Sequence, residues 1–291
     1  MKIGITINKI SYTPEAYAYE KYLTQKGIEV QLSENPDPNN DLNIYFLGLK
    51  KNKTEGKCIE IHEYQSLSTP PLANIKDLIK KHLNCKPDAR IFLNSNLEKI
   101  FHFNDKIPCL HRDMGIDAEF YQAPTKNPYF DIIYCGSISG RKGLIQEIQR
   151  LAQIGFKLCV IGAIDTKTRS HLAKYKNITF TGKLNRHEIP EIYKNSYAGL
   201  NFTPDIYPFN IQTSTKTIEY LASNLQCISN DYFWIKKFST ERGFNYISNK
   251  TLSKPEDLYE RERINVDVSD LEWNKMLENI CFYNFLYTKL Y

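Results

Sequence analysis

No stretch of the 291 residues reaches the roughly 18 consecutive apolar positions that a membrane-spanning helix needs. The opening run MKIGITI is broken at once by Asn8 and Lys9, which is too short for a secretory leader. The reading is a cytoplasmic protein whose membrane contact, if it has one, is peripheral. The seven cysteines are scattered, odd in number and never spaced CxxC. That pattern argues against a disulfide framework or a zinc site; Cys159 in FKLCVIG exemplifies thiols expected to be buried and free. The six histidines lack metal-ligand spacing, and NPDPNND (Asn35 to Asp41) reads as turn punctuation rather than a DxD at a strand end. No metal is expected. GxGxxG is absent after the first strand, which argues against a dinucleotide oxidoreductase, and neither GxSxG nor GxxxxGK[ST] appears. No Lys/Arg run or recognition motif accompanies the net charge of +5, so no nucleic-acid partner is expected.

What is present suits two ordinary domains. Hydrophobic residues make up 42% of the chain, and 20 Tyr and 15 Phe argue against disorder. KIGITI, IEVQL, LNIYFLGL, KCIEIHEY and ARIFLNS read as buried strands, with helices over PEAYAYEKYLTQKG and LANIKDLIKKHLN. After a composition break at Ala123–Pro128 the alternation restarts. FDIIYCGS, FKLCVIG, NITFTG, YAGLNF and LQCIS are strands, and helical stretches separate them. Strand–helix alternation of this kind indicates parallel sheets covered by helices. The predicted class is α/β, with two Rossmann-like doubly wound domains facing a central cleft. Their expected bounds are 1–124 and 125–270, and 271–291 is read as a terminal helix crossing back to the first domain.

Two clusters carry chemistry. In STKTIEYLASNLQCISND, the residues Thr215, Lys216 and Thr217 open a helix with hydroxyls, amides and one ammonium, the groups a diphosphate requires at a helix N-terminus. Glu219 follows, able to accept two hydrogen bonds from a ribose diol. Taken alone, the same residues also fit a solvated helix start with a surface glutamate. The second cluster is YCGSISGRKGL, a strand-to-helix turn in which Gly136, Gly140 and Gly143 allow close backbone approach and Arg141 and Lys142 supply charge. A tight turn with surface bases is its plainer reading. Both clusters fall where ligands bind in an open parallel sheet, beyond the carboxyl ends of the strands.

Residues Tyr134 to Asn230 resemble the donor half of a GT-B glycosyltransferase, near glycosyltransferase family 4. The resemblance rests on CGSISGRKG, LCVIGAI, ITFTGKLNRHEIPEIYKNSYAGLNF and TSTKTIEYLASNLQCIS, and on SNLEKIFHF with IPCLHRDMGIDAEFYQ in the linker. It implies that Arg141 and Lys142 bind the donor diphosphate and stabilise the leaving group, with Gly136 and Ser137 beside them. Thr215, Lys216 and Thr217 would share that task, Glu219 would hold the ribose, and Gly182, Lys183 and Leu184 would lie beside the base. Two positions depart from the family pattern: Ser137 stands where arginine is usual, and Ile211 where the first acidic residue is usual.

In the first domain the resemblance places His62, in IEIHEYQ, near the donor sugar and acceptor as a catalytic group. A histidine satisfied at the edge of the core is the alternative. Asn8 is a candidate contact to donor phosphate or acceptor. The aromatic terminal stretch DLEWNKMLENICFYNFLYTKL has one apolar face, for which packing is the main reading. Docking of Phe282, Phe285, Leu286, Tyr287 and Lys289 on a membrane surface is the second.

The expected function is transfer of a sugar from a nucleotide-diphosphate-sugar donor to a saccharide or lipid-linked acceptor. By resemblance it would be retaining, metal-independent and without a cofactor, would serve bacterial surface polysaccharide such as capsule or lipopolysaccharide, and would act in the cytoplasm or at the inner face of the inner membrane. A non-catalytic sugar-nucleotide-binding scaffold and a sugar-nucleotide epimerase on the same fold are the alternatives.

Overall fold

Alternating apolar strands and amphipathic helices wind into two all-parallel six-stranded sheets, one in each of two compact units of the chain. The computed structural model describes residues 1–8, 13–46, 48–138, 141–263 and 265–290. Gly140 and most of the loop after the first strand lie outside the described residues.

The first unit comprises Met1–Gly115 and Asp270–Tyr291. Its strands are β1 (Lys2–Thr6), β2 (Glu29–Ser33), β3 (Leu42–Phe46), β4 (Ile59–Tyr64), β5 (Ala89–Phe92) and β6 (Cys109–His111), in the order β2-β1-β3-β4-β5-β6. Helices α1 (Pro14–Gln25), α2 (Ala73–Leu83) and α3 (Ser95–Phe101) connect them. Pro14 at the first helical position suits α1, because its missing N–H has no partner to lose there. Strands buried on both faces read as continuous apolar runs, which is why most were visible in the sequence. The three-residue β6 is too short to show a period.

The second unit is Ile116–Ser269. It contains β7 (Phe130–Cys135), α4 (Leu144–Ile154), β8 (Leu158–Ile161), α5 (Thr166–Leu172), β9 (Ile178–Gly182), α6 (Ile189–Lys194), β10 (Ser196–Asn201), α7 (Thr215–Ala222), β11 (Gln226–Ser229), α8 (Phe233–Arg242), β12 (Ile247–Ser248) and α9 (Glu256–Tyr259). The order β12-β11-β10-β7-β8-β9 is that of dinucleotide-binding sheets, and the direction of winding reverses between β7 and β10. The division read at Ala123–Pro128 is corrected to Gly115/Ile116. The intervening residues are bonded into the second unit. Asp117 pairs with Arg186, the Ser223 hydroxyl donates to the Phe120 carbonyl at 2.7 Å, and the Tyr121 hydroxyl donates to the Val268 carbonyl at 2.9 Å.

The terminal stretch read as one helix is two, α10 (Trp273–Asn279) and α11 (Phe282–Leu290), broken at Cys281 with φ 52°. Trp273, Met276, Leu277, Phe282 and Leu286 are buried in the first unit's core with Ile3, Tyr19 and Leu23. Each such side chain contributes about 1.5–3 kcal/mol of burial. Phe282 and Leu286 are therefore unavailable to a membrane, whereas Tyr287 stays 44% exposed.

Candidate nucleotide-sugar site

The second unit holds a pocket of about 250 Å³ at its topological switch point. Tyr134 and Cys135 close β7, Leu200 and Asn201 close β10, and Ser214, Thr215 and Lys216 begin α7; all of them line the pocket, with Arg141 from the turn after β7. The floor is stapled by Tyr220 of α7, whose hydroxyl accepts from the Cys135 amide at 3.2 Å and donates to the Leu200 carbonyl at 3.4 Å. Gly199 makes room for that ring, since a Cβ there would stand 2.2 Å from Tyr220 Cγ. A bare stretch of β10 thus brings the α7 N-terminus over the split between the two central strands.

The start of α7 is shaped by Ser214, its N-cap. The Ser214 hydroxyl accepts from the Thr217 amide at 3.3 Å and donates to Asn201 Oδ1 at 2.9 Å. The positive end of the helix dipole, the Lys216 ammonium and the Arg141 guanidinium are thereby gathered at one pocket. Arg141 is also fixed from below, donating to the Phe202 carbonyl at 3.1 Å.

Lys216 is held by a buried ionic network. Its Nζ lies 2.6 Å from Glu219 Oε2, which also accepts from the Tyr193 hydroxyl at 3.0 Å. Glu219 Oε1 takes Arg186 Nη1 at 2.9 Å, and Arg186 in turn pairs with Asp117 and lies 4.8 Å over the Phe120 ring. Burial alone would push the Glu219 carboxyl up; the adjacent Lys216 and Arg186 outweigh it and hold the group below its ordinary range. Burial would depress Lys216, but Glu219 raises it, so the ammonium stays charged.

The structure brings together some predicted site residues and separates others. Arg141, Thr215 and Lys216 line the pocket. Lys142 is exposed in the turn and does not line it. Gly136, Ser137, Gly182, Lys183 and Leu184 lie outside the lining as well; the Gly136 backbone packs against Gly162, where a Cβ would stand 2.1 Å from the Gly136 carbonyl oxygen. Thr217 and Glu219 are fully buried beneath the helix start. Both oxygens of Glu219, the expected ribose-binding carboxylate, are engaged by Lys216, Arg186 and Tyr193, so in this structure it positions Lys216.

Sequence reasoning missed Asn201 and Arg186. Asn201 did leave a signal, a polar residue ending the apolar run YAGLN. Arg186 left none, because its partner Glu219 is 33 positions away.

His62 sits differently from the expected strand end. It lies inside β4 rather than at its end, and is fully buried with Nε2 2.5 Å from Glu60 Oε1. Burial pulls its pKa down against the opposing pull of Glu60. Its ring is thus enclosed in the sheet and bonded to Glu60. Asn8 is exposed just past β1.

Among the described residues, one group has the composition of a metal site: Glu60, His62 and Cys85. Cys85 Sγ lies 3.3 Å from Glu60 Oε1 and 3.9 Å from His62 Nε2. Ligand atoms of a tetrahedral zinc stand about 3.3 Å or more apart. The 2.5 Å His62–Glu60 contact is a hydrogen bond, and the Lys50 ammonium, 3.4 Å from Glu60, already balances the carboxylate.

No protein-family model matches the sequence, and no curated protein matches it. Solved structures match the fold over the whole chain. The sucrose-phosphate synthase of Thermosynechococcus elongatus superposes with a TM-score of 0.66 and 13% identity, over 99% of this chain and 98% of its own. HepE of Anabaena in complex with UDP and glucose gives 0.60 and 12%, over 100% and 91%. The β-glucosyltransferase of phage T4 with its UDP-glucose substrate gives 0.57 and 17%, over 100% and 99%. The chain has the GT-B fold of glycosyltransferases.

Proposed function

We propose that this GT-B chain is a glycosyltransferase that takes its sugar from a nucleoside-diphosphate donor, with UDP as the first nucleotide to test. The observation that carries the reading is the convergence of Lys216, Arg141 and the α7 N-terminus on one pocket at the sheet's switch point. Two proteins of similar fold hold UDP or UDP-glucose in their crystals.

The chemistry follows from charge. As the glycosidic bond to the donor breaks, negative charge grows on the diphosphate. Lys216, fixed by Glu219, and Arg141, fixed by the Phe202 carbonyl, meet that charge without reorganising. The amides and hydroxyls at the start of α7 add hydrogen bonds to the same oxygens. These cations do the work a divalent metal does elsewhere, so the proposed reaction is metal-independent. A retaining outcome, a saccharide or lipid-linked acceptor, and a role in bacterial surface polysaccharide belong to the same proposal and rest on family resemblance.

A thermal-shift panel of UDP, GDP, dTDP, ADP and CMP, with and without Mg²⁺, tests it. A shift with one diphosphate that is indifferent to Mg²⁺, followed by release of that diphosphate from its sugar conjugate, is the expected result. Binding without any release would leave a sugar-nucleotide-binding scaffold. No shift across the panel would overturn the donor site.

A further inference from the structure

Helix α2 is built with its apolar side outward. Of its 11 residues only Ala73 and Asp77 are buried. Ile75, Leu78, Ile79 and Leu83, with Leu72 just before them, are 51, 54, 42, 48 and 65% exposed. At about 3.6 residues per turn, Leu72, Ile75, Ile79 and Leu83 form one stripe along the helix, with Leu78 beside it. The orientation is pinned from the inner side. Both oxygens of Asp77 accept from the Ser68 amide, at 2.9 and 3.2 Å, so the one acidic residue of the helix faces the protein.

The charge around the stripe has one sign. Between Leu72 and Lys86 stand Lys76, Lys80, Lys81 and Lys86 against Asp77 alone, a formal 4 − 1 = +3; Lys80 Nζ lies 3.8 Å from Asp77 and balances it, so Lys76, Lys81 and Lys86 carry the net charge. The loop carrying Leu49 and Lys51 adjoins the helix end, because the Lys50 amide donates to Asn84 Oδ1 and the Cys85 amide to the Lys50 carbonyl, each at 2.8 Å. Leu49 is 51% exposed and extends the apolar surface.

We propose that α2 docks this protein on an anionic lipid surface, with the Leu/Ile stripe at the boundary of headgroups and acyl chains and the lysines on lipid phosphates. The composition favours lipid over a protein partner. Protein interfaces are enriched in Tyr, Trp, Phe and Arg and depleted in lysine, and this helix has four Leu/Ile residues, three lysines and no Arg, Tyr, Trp or Phe. A convex aliphatic ridge flanked by lysines is complementary to a negatively charged bilayer. The membrane contact thereby moves from the terminal segment, whose Phe282 and Leu286 are buried, to α2.

The test is co-sedimentation of the full chain with vesicles of phosphatidylglycerol and phosphatidylcholine in equal parts, against phosphatidylcholine alone. Binding to the anionic vesicles, weakened by salt and slight on the neutral ones, is expected. The exposed double variant Ile75→Asn/Ile79→Asn should lower partitioning by about tenfold or more. Lys81→Gln/Lys86→Gln should lower it roughly fivefold per lysine. Thermal unfolding of each variant checks that the fold is intact. Arg141→Ala should bind vesicles like wild type, which separates this surface from the nucleotide pocket. No anionic-vesicle binding, equal binding to neutral vesicles, or unchanged binding by the Ile75/Ile79 variant would overturn the proposal. So would self-association in sedimentation velocity, abolished by that variant, without vesicle binding.

Discussion

Replacing Glu219 by Gln is the sharpest test of the site, because two readings of that residue predict different outcomes. The substitution keeps the shape of the side chain and removes its charge. Lys216 and Arg186, at 2.6 and 2.9 Å from the carboxylate, would then face each other across a neutral amide. Leaving a buried charge without its partner costs about 3–5 kcal/mol. Two features place this case at the low end: Arg186 keeps Asp117, and the Lys216 side chain, 26% exposed, can swing toward water. A loss of about 3 kcal/mol lowers Tm by roughly 6–12 °C for a domain of this size. Once Lys216 is no longer held over the pocket, affinity for the diphosphate should fall about tenfold, equivalent to about 1.4 kcal/mol. Differential scanning calorimetry and titration calorimetry read the two quantities. If affinity falls while Tm stays within about 2 °C of wild type, Glu219 contacts the ligand directly and the anchoring argument is wrong. If neither changes, the whole network is irrelevant to the site.

Three further outcomes follow from the same structure. Arg141→Ala should weaken nucleotide binding by about tenfold through loss of a charge-assisted bond, whereas the exposed Lys142→Ala should stay within about twofold; titration calorimetry distinguishes them, and equal losses would return Lys142 to the site. His62→Gln should lower stability to urea by about 1–3 kcal/mol through disruption of its buried bond to Glu60, while transfer per folded molecule is unchanged; a folded but inactive variant would restore a catalytic role. The Glu60 carboxyl is held at about 2 against an ordinary 4.5, because bonds from His62 and Thr54 outweigh the upward push of burial. Its folded pKa lies below the unfolded one, so its stabilisation is fully present above pH 4.5 and is lost as pH falls toward about 2. Glu60→Gln should flatten the urea midpoint across that window, and an unaltered acid limb would refute the assignment.

Much of this molecule was legible residue by residue. Apolar runs such as FKLCVIG and YAGLNF announce strands buried on both faces, and their alternation with helices announces parallel sheets, because period and burial are local properties of the chain. The Ser-Thr-Lys-Thr start of α7 was legible for the same reason: a helix N-terminus and its cap are made by adjacent residues. Strand order, and with it the switch point between β7 and β10, depends on where distant segments settle, and no local period records that.

The burial of individual charges was decided by tertiary structure alone. Glu219 reads in sequence as a ribose acceptor or a surface carboxylate; Arg186, 33 residues earlier, and Tyr193 enclose it and turn it into the support for Lys216. His62 looked like a strand end until Tyr64 and the neighbouring strands β3 and β5 extended the sheet past it. The amphipathic pattern of LANIKDLIKKHLN correctly marks a helix, but periodicity says only that one face is apolar. Asp77, bonded to the Ser68 amide, decides that this face looks outward. Sequence determines which elements form and which face of each is apolar; packing across long chain separations determines which charges are buried, which pair, and which apolar face is left for a partner.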